Sequence, residues 1–497
     1  MSVAVVYTRA RAGIDAPAVT VEIHISGGLP GFSIVGLPET AVREARDRVR
    51  GALLASRFEF PQRRIIANLA PADLPKEGGR FDLPVAVGIL IASGQLQTQH
   101  TNRVELIGEL GLDGSLRGVP GALPASLAAG AVDRGLIAAA DNDTELGFAQ
   151  QVPCWTYSHL LQVCEFLARK DLPPPAPRPL AQEPRADGDS LDDVRGQNGA
   201  KRALEIAAAG GHNVLMSGPP GTGKSMLARR LISLLPPLTD QAVVEVASVH
   251  SVAGLQRENW RAPPFRDPHH SASAAAVVGG GSHPRPGEVT LAHHGVLFLD
   301  EMPEFSRAVL ETLREPLETG EILIARARHR ARYPARFQLV GAMNPCPAGR
   351  ICSTDSCVCS RDARQRYQAR ISSPLMDRID LHVGVDALEP ADLRQSAPPS
   401  VQAQALRRAV EDARARQTER GQMNRDIQPR GLEQAVNAEP AALRLLDDAC
   451  RRLHLSMRGY HRSLRVARSI ADLANSAVVN ADHVAEALSY RSESAPP

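Results

Sequence analysis

Three stretches of this chain combine residue types at spacings that suit chemistry on phosphates. In the first, Gly218-Pro219-Pro220-Gly221-Thr222-Gly223-Lys224-Ser225 follows the apolar run Asn213–Ser217 and leads into the helical pattern Met226–Leu235. Glycines let successive backbone N–H groups converge on phosphate oxygens at a helix N-terminus, where the dipole also favours negative charge. Lys224 then reaches the β and γ phosphates of ATP, and Ser225 ligates Mg²⁺. In the second, the apolar strand Val296–Leu299 ends in Asp300 and Glu301. Asp300 suits holding Mg²⁺, and Glu301 suits polarising the attacking water. The third, Phe337–Ala342, leads to Asn344, a polar group placed to orient water near the γ phosphate.

Two further clusters lie close by. Of seven cysteines, Cys346, Cys352, Cys357 and Cys359 fall within fourteen residues, which reads as metal before disulfide. Ile322–Pro334 alternates as a β-hairpin would and places Arg326, Arg328, Arg330 and Arg332 towards its tip. The pairs His269-His270 and His293-His294 are assigned to shaping an insert and a strand entry, because no carboxylate or cysteine lies at ligand spacing around them.

The elements that must position these residues are legible in outline. A length of 497 residues predicts two to four domains of roughly 100–200 residues. Short strands at Val3–Tyr7, Val19–Ile25 and Ile65–Leu69, with a helical pattern at Glu39–Ser56, give an α/β domain over residues 1–170. The Pro-rich stretch 171–190 reads as a linker. Residues 191–390 form an α/β nucleotide domain, and residues 391–497 a helical lid with helices at Val401–Gln417, Pro440–Leu453, Tyr460–Leu473 and Ala481–Tyr490. The net charge of +2 supplies no chain-wide attraction for nucleic acid or membrane, so any basic surface must be local. The basic residues are 53 arginines and four lysines, which weakens the case for any single arginine. The longest apolar run, Leu83–Ala92, is about half of what a bilayer demands, and Met1–Ala12 lacks a secretory pattern, so a cytoplasmic protein is predicted.

With these three strands the chain resembles AAA+ ATPases. Pro284–Phe305 and Ser372–Val383 narrow the likeness to the magnesium-chelatase-like branch, and Gly27–Phe32 and Asp193–Ile206 extend it to the ComM/YifB family. The resemblance implies a ring, six-fold in the family, whose ATP sites are completed by a neighbour's arginine finger at Arg378. It places Arg458, in Ser456-Met457-Arg458, on the γ phosphate in cis, with Arg462 and Arg465 further along the same helix. Related sequences carry two C-x-C pairs suited to a structural zinc. Here Cys346 is followed by Pro347 and Ala348, so Cys346, Cys352, Cys357 and Cys359 are the remaining zinc set, with free thiols as the open alternative.

The N-terminal domain resembles the proteolytic domain of Lon (an S5 domain 2-like fold) at Pro75–Asp82 and Gly108–Gly121. No Ser occupies Gly79–Leu83 and no Lys occurs between Glu77 and Arg169, so that fold is expected without peptidase chemistry. In related hexameric helicases the hairpin before the sensor strand grips DNA phosphates in the pore. The alternating arginines suit that role, and a solvent-facing hairpin enriched by composition stays open. The function implied is an ATP-dependent DNA motor, a branch-migration helicase acting on single-stranded or branched recombination intermediates in natural transformation. The alternatives are a chelatase-type subunit driving metal insertion and a Lon-related protease or unfoldase.

Overall fold

The computed structural model describes residues 2–36, 40–74, 76, 78–176, 190–281, 285–326, 329–349, 357–387 and 401–491. The N-terminal region is a seven-stranded sheet of β1 (Ser2–Arg9), β2 (Ala18–Ser26), β3 (Gly31–Val35), β4 (Arg64–Ala70), β5 (Val104–Leu106), β6 (Gly135–Ala139) and β7 (Cys154–Tyr157), in the order β3-β4-β2-β1-β5-β6-β7. Alternation in β2 buries Val19, Val21, Ile23 and Ile25 against the helix Asp82–Ala92, which is apolar all round and buried accordingly.

A second sheet forms from β8 (Val214–Ser217), β9 (Phe265–Arg266), β10 (Val296–Leu299), β13 (Gln338–Met343) and β14 (Leu381–Gly384), in the order β9-β10-β13-β8-β14. All its pairings are parallel. The carboxyl ends of its strands therefore share one edge and the amino ends the other, and open α/β sheets present their ligand crevices at the carboxyl edge. Both faces are covered, so β8, β10 and β13 read as continuous apolar runs. Between β10 and β13 the chain forms the expected hairpin, β11 (Glu321–Arg326) against β12 (His329–Pro334) in antiparallel register.

The C-terminal part is helical at Val401–Glu419, Pro440–Leu453, Met457–Leu473 and Ala481–Ser489, with shorter turns at Asn424–Asp426 and Leu432–Val436. Its apolar faces join the core beneath β8: Val410, Leu446, Leu464 and Ala467 cluster with Val214, Leu227 and Val340. The helix Asp240–Ala253 packs on the N-terminal region, burying Val243, Val246 and Ala247 with Ile107, Leu123 and Leu136. At its end, the N–H of Gly121 donates to the Ser251 carbonyl at 2.9 Å. No described helix is long and apolar enough to cross a membrane.

Candidate functional site

At the carboxyl edge β8 turns through Gly218–Gly223 into the helix Lys224–Leu234. Gly221 and Gly223 hold φ of 84° and 89°, left-handed values that demand glycine here. The buried Lys224 ammonium donates to the carbonyls of Gly218 (2.7 Å) and Pro219 (2.8 Å) and lies 3.4 Å from Asn344 Oδ1. Burial pulls its pKa down, opposed by Asp300 and Glu301. Ser225 Oγ donates to Asp300 Oδ2 at 2.6 Å. A hydroxyl and a carboxylate side by side form the oxygen donor set of a hard divalent cation, so the residues fit Mg²⁺ with a nucleotide. Glu301, one residue on, faces solvent, with His270 Nδ1 3.5 Å from its Oε2. Lys224, Ser225, Asp300, Glu301 and Asn344 are thus brought together along one edge.

Arg378 and Arg458 belong to the other edge. The N–H groups of Asp380 and Leu381 donate to the Asn213 carbonyl, and Asn213 Nδ2 donates to the Arg378 carbonyl at 2.9 Å, fixing Arg378 at the amino end of β8. Asn213 and Gly218 are separated by roughly 16 Å of extended chain, further than an arginine side chain reaches. Arg458, expected on the γ phosphate of its own subunit, lies here at the edge opposite the phosphate loop. Helix Met457–Leu473 packs on Asn198–Gly210, with Ser469 Oγ 2.7 Å from His212 Nε2, at the amino end of β8. Arg458 and Arg378 there share the carboxylate of Glu318. Arg462 lies 3.3 Å from Asp380 Oδ1, and Arg465 Nε donates to the Ile427 carbonyl at 2.9 Å. These residues, with Arg336, Arg425 and His461, line a cleft of about 750 Å³. Burial opposes ionisation of Asp380, yet Arg462, His212 and Arg491 together hold its pKa well below the ordinary range.

The sulfurs of Cys346, Cys357 and Cys359 lie within 4.8 Å of one another. Tetrahedral zinc with Zn–S near 2.3 Å needs sulfurs about 3.8 Å apart, so these three fit the group. Cys352, the fourth expected ligand, lies outside the described residues. Tyr367, on the helix Arg361–Gln368, bonds to the Asn344 backbone, linking this segment to the phosphate loop's neighbour. In the hairpin, Arg328 lies outside the described residues, Arg326 stands opposite His329 and Arg330 opposite Ala325 in the register, and exposed Arg332 faces Glu321 at 3.4 Å. Such a surface pair neutralises little.

The fold brings to His293-His294 a carboxylate that the local sequence lacks. Glu245, distant in sequence, reaches both His293 Nε2 (3.1 Å) and His294 Nε2 (2.7 Å). The three could resemble a metal site, but His293 Nδ1 accepts the Arg336 N–H, so its Nε2 carries the proton and has no lone pair for a cation. The cluster is instead a hydrogen-bonded anchor. Contact with His293 brings the Glu245 pKa down to about 2, and burial, then His293, brings that of His294 to about 4.

In the N-terminal region a Cβ at Gly79 would lie 2.4 Å from the Glu109 side chain, which would have to turn away to admit it. Asp82 is buried, pairs with Arg48 at 2.8 Å, and is pushed up to about 7 by burial against the opposing pull of Arg48. Buried Lys76 donates to the Pro71 carbonyl.

This sheet order, with phosphate loop, acidic strand end and polar sensor on one edge, defines a magnesium-chelatase-like protein, and family profiles agree: magnesium chelatase subunit ChlI over residues 190–393, subunit ChlI of Mg-chelatase over 21–142 and the ChlI C-terminal region over 400–491. The competence protein ComM of Haemophilus influenzae is 48% identical over 499 residues, covering 99% of this chain and 98% of that protein. Protein YifB of Salmonella typhimurium is 47% identical over 497 residues, covering 99% and 97%. The chain belongs to the ComM/YifB family. Shorter similarity extends to Lon protease 2 of Bacillus subtilis, 28% identical over 34% of this chain and 35% of that protein.

Proposed function

We propose that this chain is the subunit of a closed ring, six-fold as in the family, that hydrolyses ATP with Mg²⁺ and moves on DNA. The observation that carries this reading is the separation of the phosphate loop from Arg378 and Arg458 onto opposite edges of one sheet. A subunit with the loop on one edge and the arginines on the other forms a whole site only with a neighbour on each side. At each interface Lys224 and the loop amides hold the β and γ phosphates, while Ser225 and Asp300 hold the cation. Mg²⁺ neutralises charge developing on the phosphates. Glu301 takes the proton of the water, Asn344 orients that water, and the neighbour's Arg378 and Arg458 meet the γ phosphate. Substituting Lys224→Ala, Glu301→Gln or Arg378→Ala and measuring steady-state ATP hydrolysis tests this, and undiminished turnover in any of the three removes that residue from the site.

On DNA, Arg326, Arg328, Arg330 and Arg332 supply phosphate contacts without base specificity. The near full-length likeness to a competence protein supports branch migration of recombination intermediates during natural transformation, in the cytoplasm. Cys346, Cys352, Cys357 and Cys359 hold a structural zinc between sensor strand and finger. Residues 1–170 serve as a Lon-like fold without a Ser-Lys dyad, in keeping with the lack of a Ser at Gly79–Leu83. Residues 171–190 link them to an ATPase domain over 191–390 and a helical lid over 391–497. The second reading, an ATPase subunit driving metal insertion, is favoured by the three chelatase profiles. ATP hydrolysis indifferent to DNA and stimulated by a tetrapyrrole-synthesis partner would select it.

A further inference from the structure

The cleft at the amino edge holds a surplus of cations, and one carboxylate does double duty within it. Glu318 ends the helix Arg314–Thr319, and its Oε1 contacts Nη2 of Arg378 and lies 3.6 Å from Nη2 of Arg458. The side chain of Arg378 is 5% exposed whereas that of Glu318 is 49% exposed. Arg378 Nη1 donates to the Pro374 carbonyl at 2.5 Å, and its buried Nε has no hydrogen-bond partner among the described residues. Guanidinium groups with spare donors, converging on a single oxygen, are better matched by an anion with several oxygens in one plane or cone.

We propose that Glu318 occupies, within each subunit, the position that the γ phosphate of the neighbour's nucleotide takes when the interface closes. The proposal rests on the trans-site reading above and adds to it a residue that competes with the nucleotide. A half-exposed carboxylate is cheap to return to water, because a solvated ion pair is worth little. A buried guanidinium left with no anion is costly, so the exchange must be one anion for another. Glu318 is therefore a positioning residue: it keeps Arg378 and Arg458 side by side while no phosphate is present. The exchange also takes place at the root of the hairpin. Gly320, with φ of 71°, turns the chain from this helix into β11, and its carbonyl accepts the Ala335 N–H at 2.8 Å.

The sign of the effect tests the proposal. The ATPγS concentration, with Mg²⁺, needed for half-maximal ring assembly of the full chain is measured by sedimentation. For Glu318→Gln it should fall by about fivefold, the worth of one partly exposed ion pair, while the melting temperature without nucleotide falls and its rise on adding ATPγS grows. A residue with a merely structural role would lower the melting temperature and raise the ATPγS requirement, so an unchanged or raised requirement overturns the proposal. If Glu318→Gln fails to fold, Glu318→Asp draws the carboxylate back by one methylene and must shift the requirement in the same direction; no decrease there also overturns it. Arg378→Ala separates the two levels. If it leaves the ATPγS requirement unchanged, the trans-site reading itself fails. If it raises the requirement and Glu318→Gln does not lower it, only the role of Glu318 falls.

Discussion

At the carboxyl edge of the five-stranded sheet Lys224 meets the carbonyls of its own loop, Asn344 and the nearby Asp300 and Glu301. At the amino edge, Arg336, Arg378, Arg425, Arg458, Arg462 and Arg465 line one cleft with Glu318, Asp380 and Asp426. The same β8 strand connects the two, so the contrast is not one of distant domains. The carboxyl edge holds the phosphate-loop amides and cation ligands, and guanidinium groups near it are engaged by acids, Arg370 by Glu304 and Arg229 by Asp267. The amino edge holds guanidinium groups in excess of its acids. Within one subunit the phosphate loop and the Arg378–Arg458 pair stand at opposite ends of the same parallel strands.

The sharpest way to break this comparison is to disable the edges separately. Lys224→Ala and Arg378→Ala should each lower ATP turnover by at least about 10³-fold. Mixing the two inactive proteins should restore up to about a quarter of parental activity, because an interface formed by one good loop and one good finger arises at random with that frequency. No recovery on mixing would mean that the edges do not meet. Next in size, replacing Arg326, Arg328, Arg330 and Arg332 together with Ala should weaken DNA binding by roughly 10- to 100-fold and flatten its logarithmic salt slope by about 3. Basal ATP hydrolysis should persist, since none of these four arginines is among the residues assigned to the ATP site. A quadruple variant that binds DNA like the parent would move the basic surface elsewhere, for instance to Arg361–Arg370.

Smaller effects sharpen the boundaries of the two edges. Cys357→Ser with Cys359→Ser should abolish zinc detectable by atomic emission and lower the melting temperature by several degrees; retained zinc would overturn the ligand set. The smallest effect concerns pH. Burial holds His250, His294 and His382 at about 4. These folded values lie below the ordinary 6.5, so their contribution is present above pH 6.5 and is lost as pH falls towards 4. Melting temperature should therefore drop between pH 7 and 5. His294→Asn should make that slope shallower, while Asp82, pushed up to about 7, acts on it with the opposite sign. Asparagine tolerates the left-handed φ of 58° at this position, so an unchanged slope would exclude His294 from the titration.

The carboxyl edge was legible because its motifs are local: a strand, a glycine turn and a lysine occur in immediate succession. The hairpin and the C-terminal helices followed from periodicity for the same reason. The placement of Arg458 was not legible, because Ser456-Met457-Arg458 does not say on which edge its helix packs; the bond between Ser469 and His212 decides that from 257 residues away. Glu318, Glu245 and His270 carried no signal for a similar reason. Each is an ordinary polar residue until the fold brings it to Arg378, His293 or Glu301. A run of three arginines one helical turn apart on a lid helix, Arg458, Arg462 and Arg465, was the available hint that one face of that helix meets anions.

The Pro-rich stretch 171–190 looks like a hinge between a passenger and an engine, but the helix Asp240–Ala253 denies the molecule that freedom. Val243, Val246 and Ala247 are packed with the N-terminal sheet, Val252 joins the cluster containing Leu297 and Leu299 of β10, and Glu245 grips the histidines at the entry to that strand. Close-packed interiors transmit strain with little give. In elastic terms the helix is a rod clamped at both ends: displacement of the strand that carries Asp300 and Glu301 is borne by the N-terminal sheet as well, and the stiffness of that sheet sets part of the spring against which the nucleotide edge works.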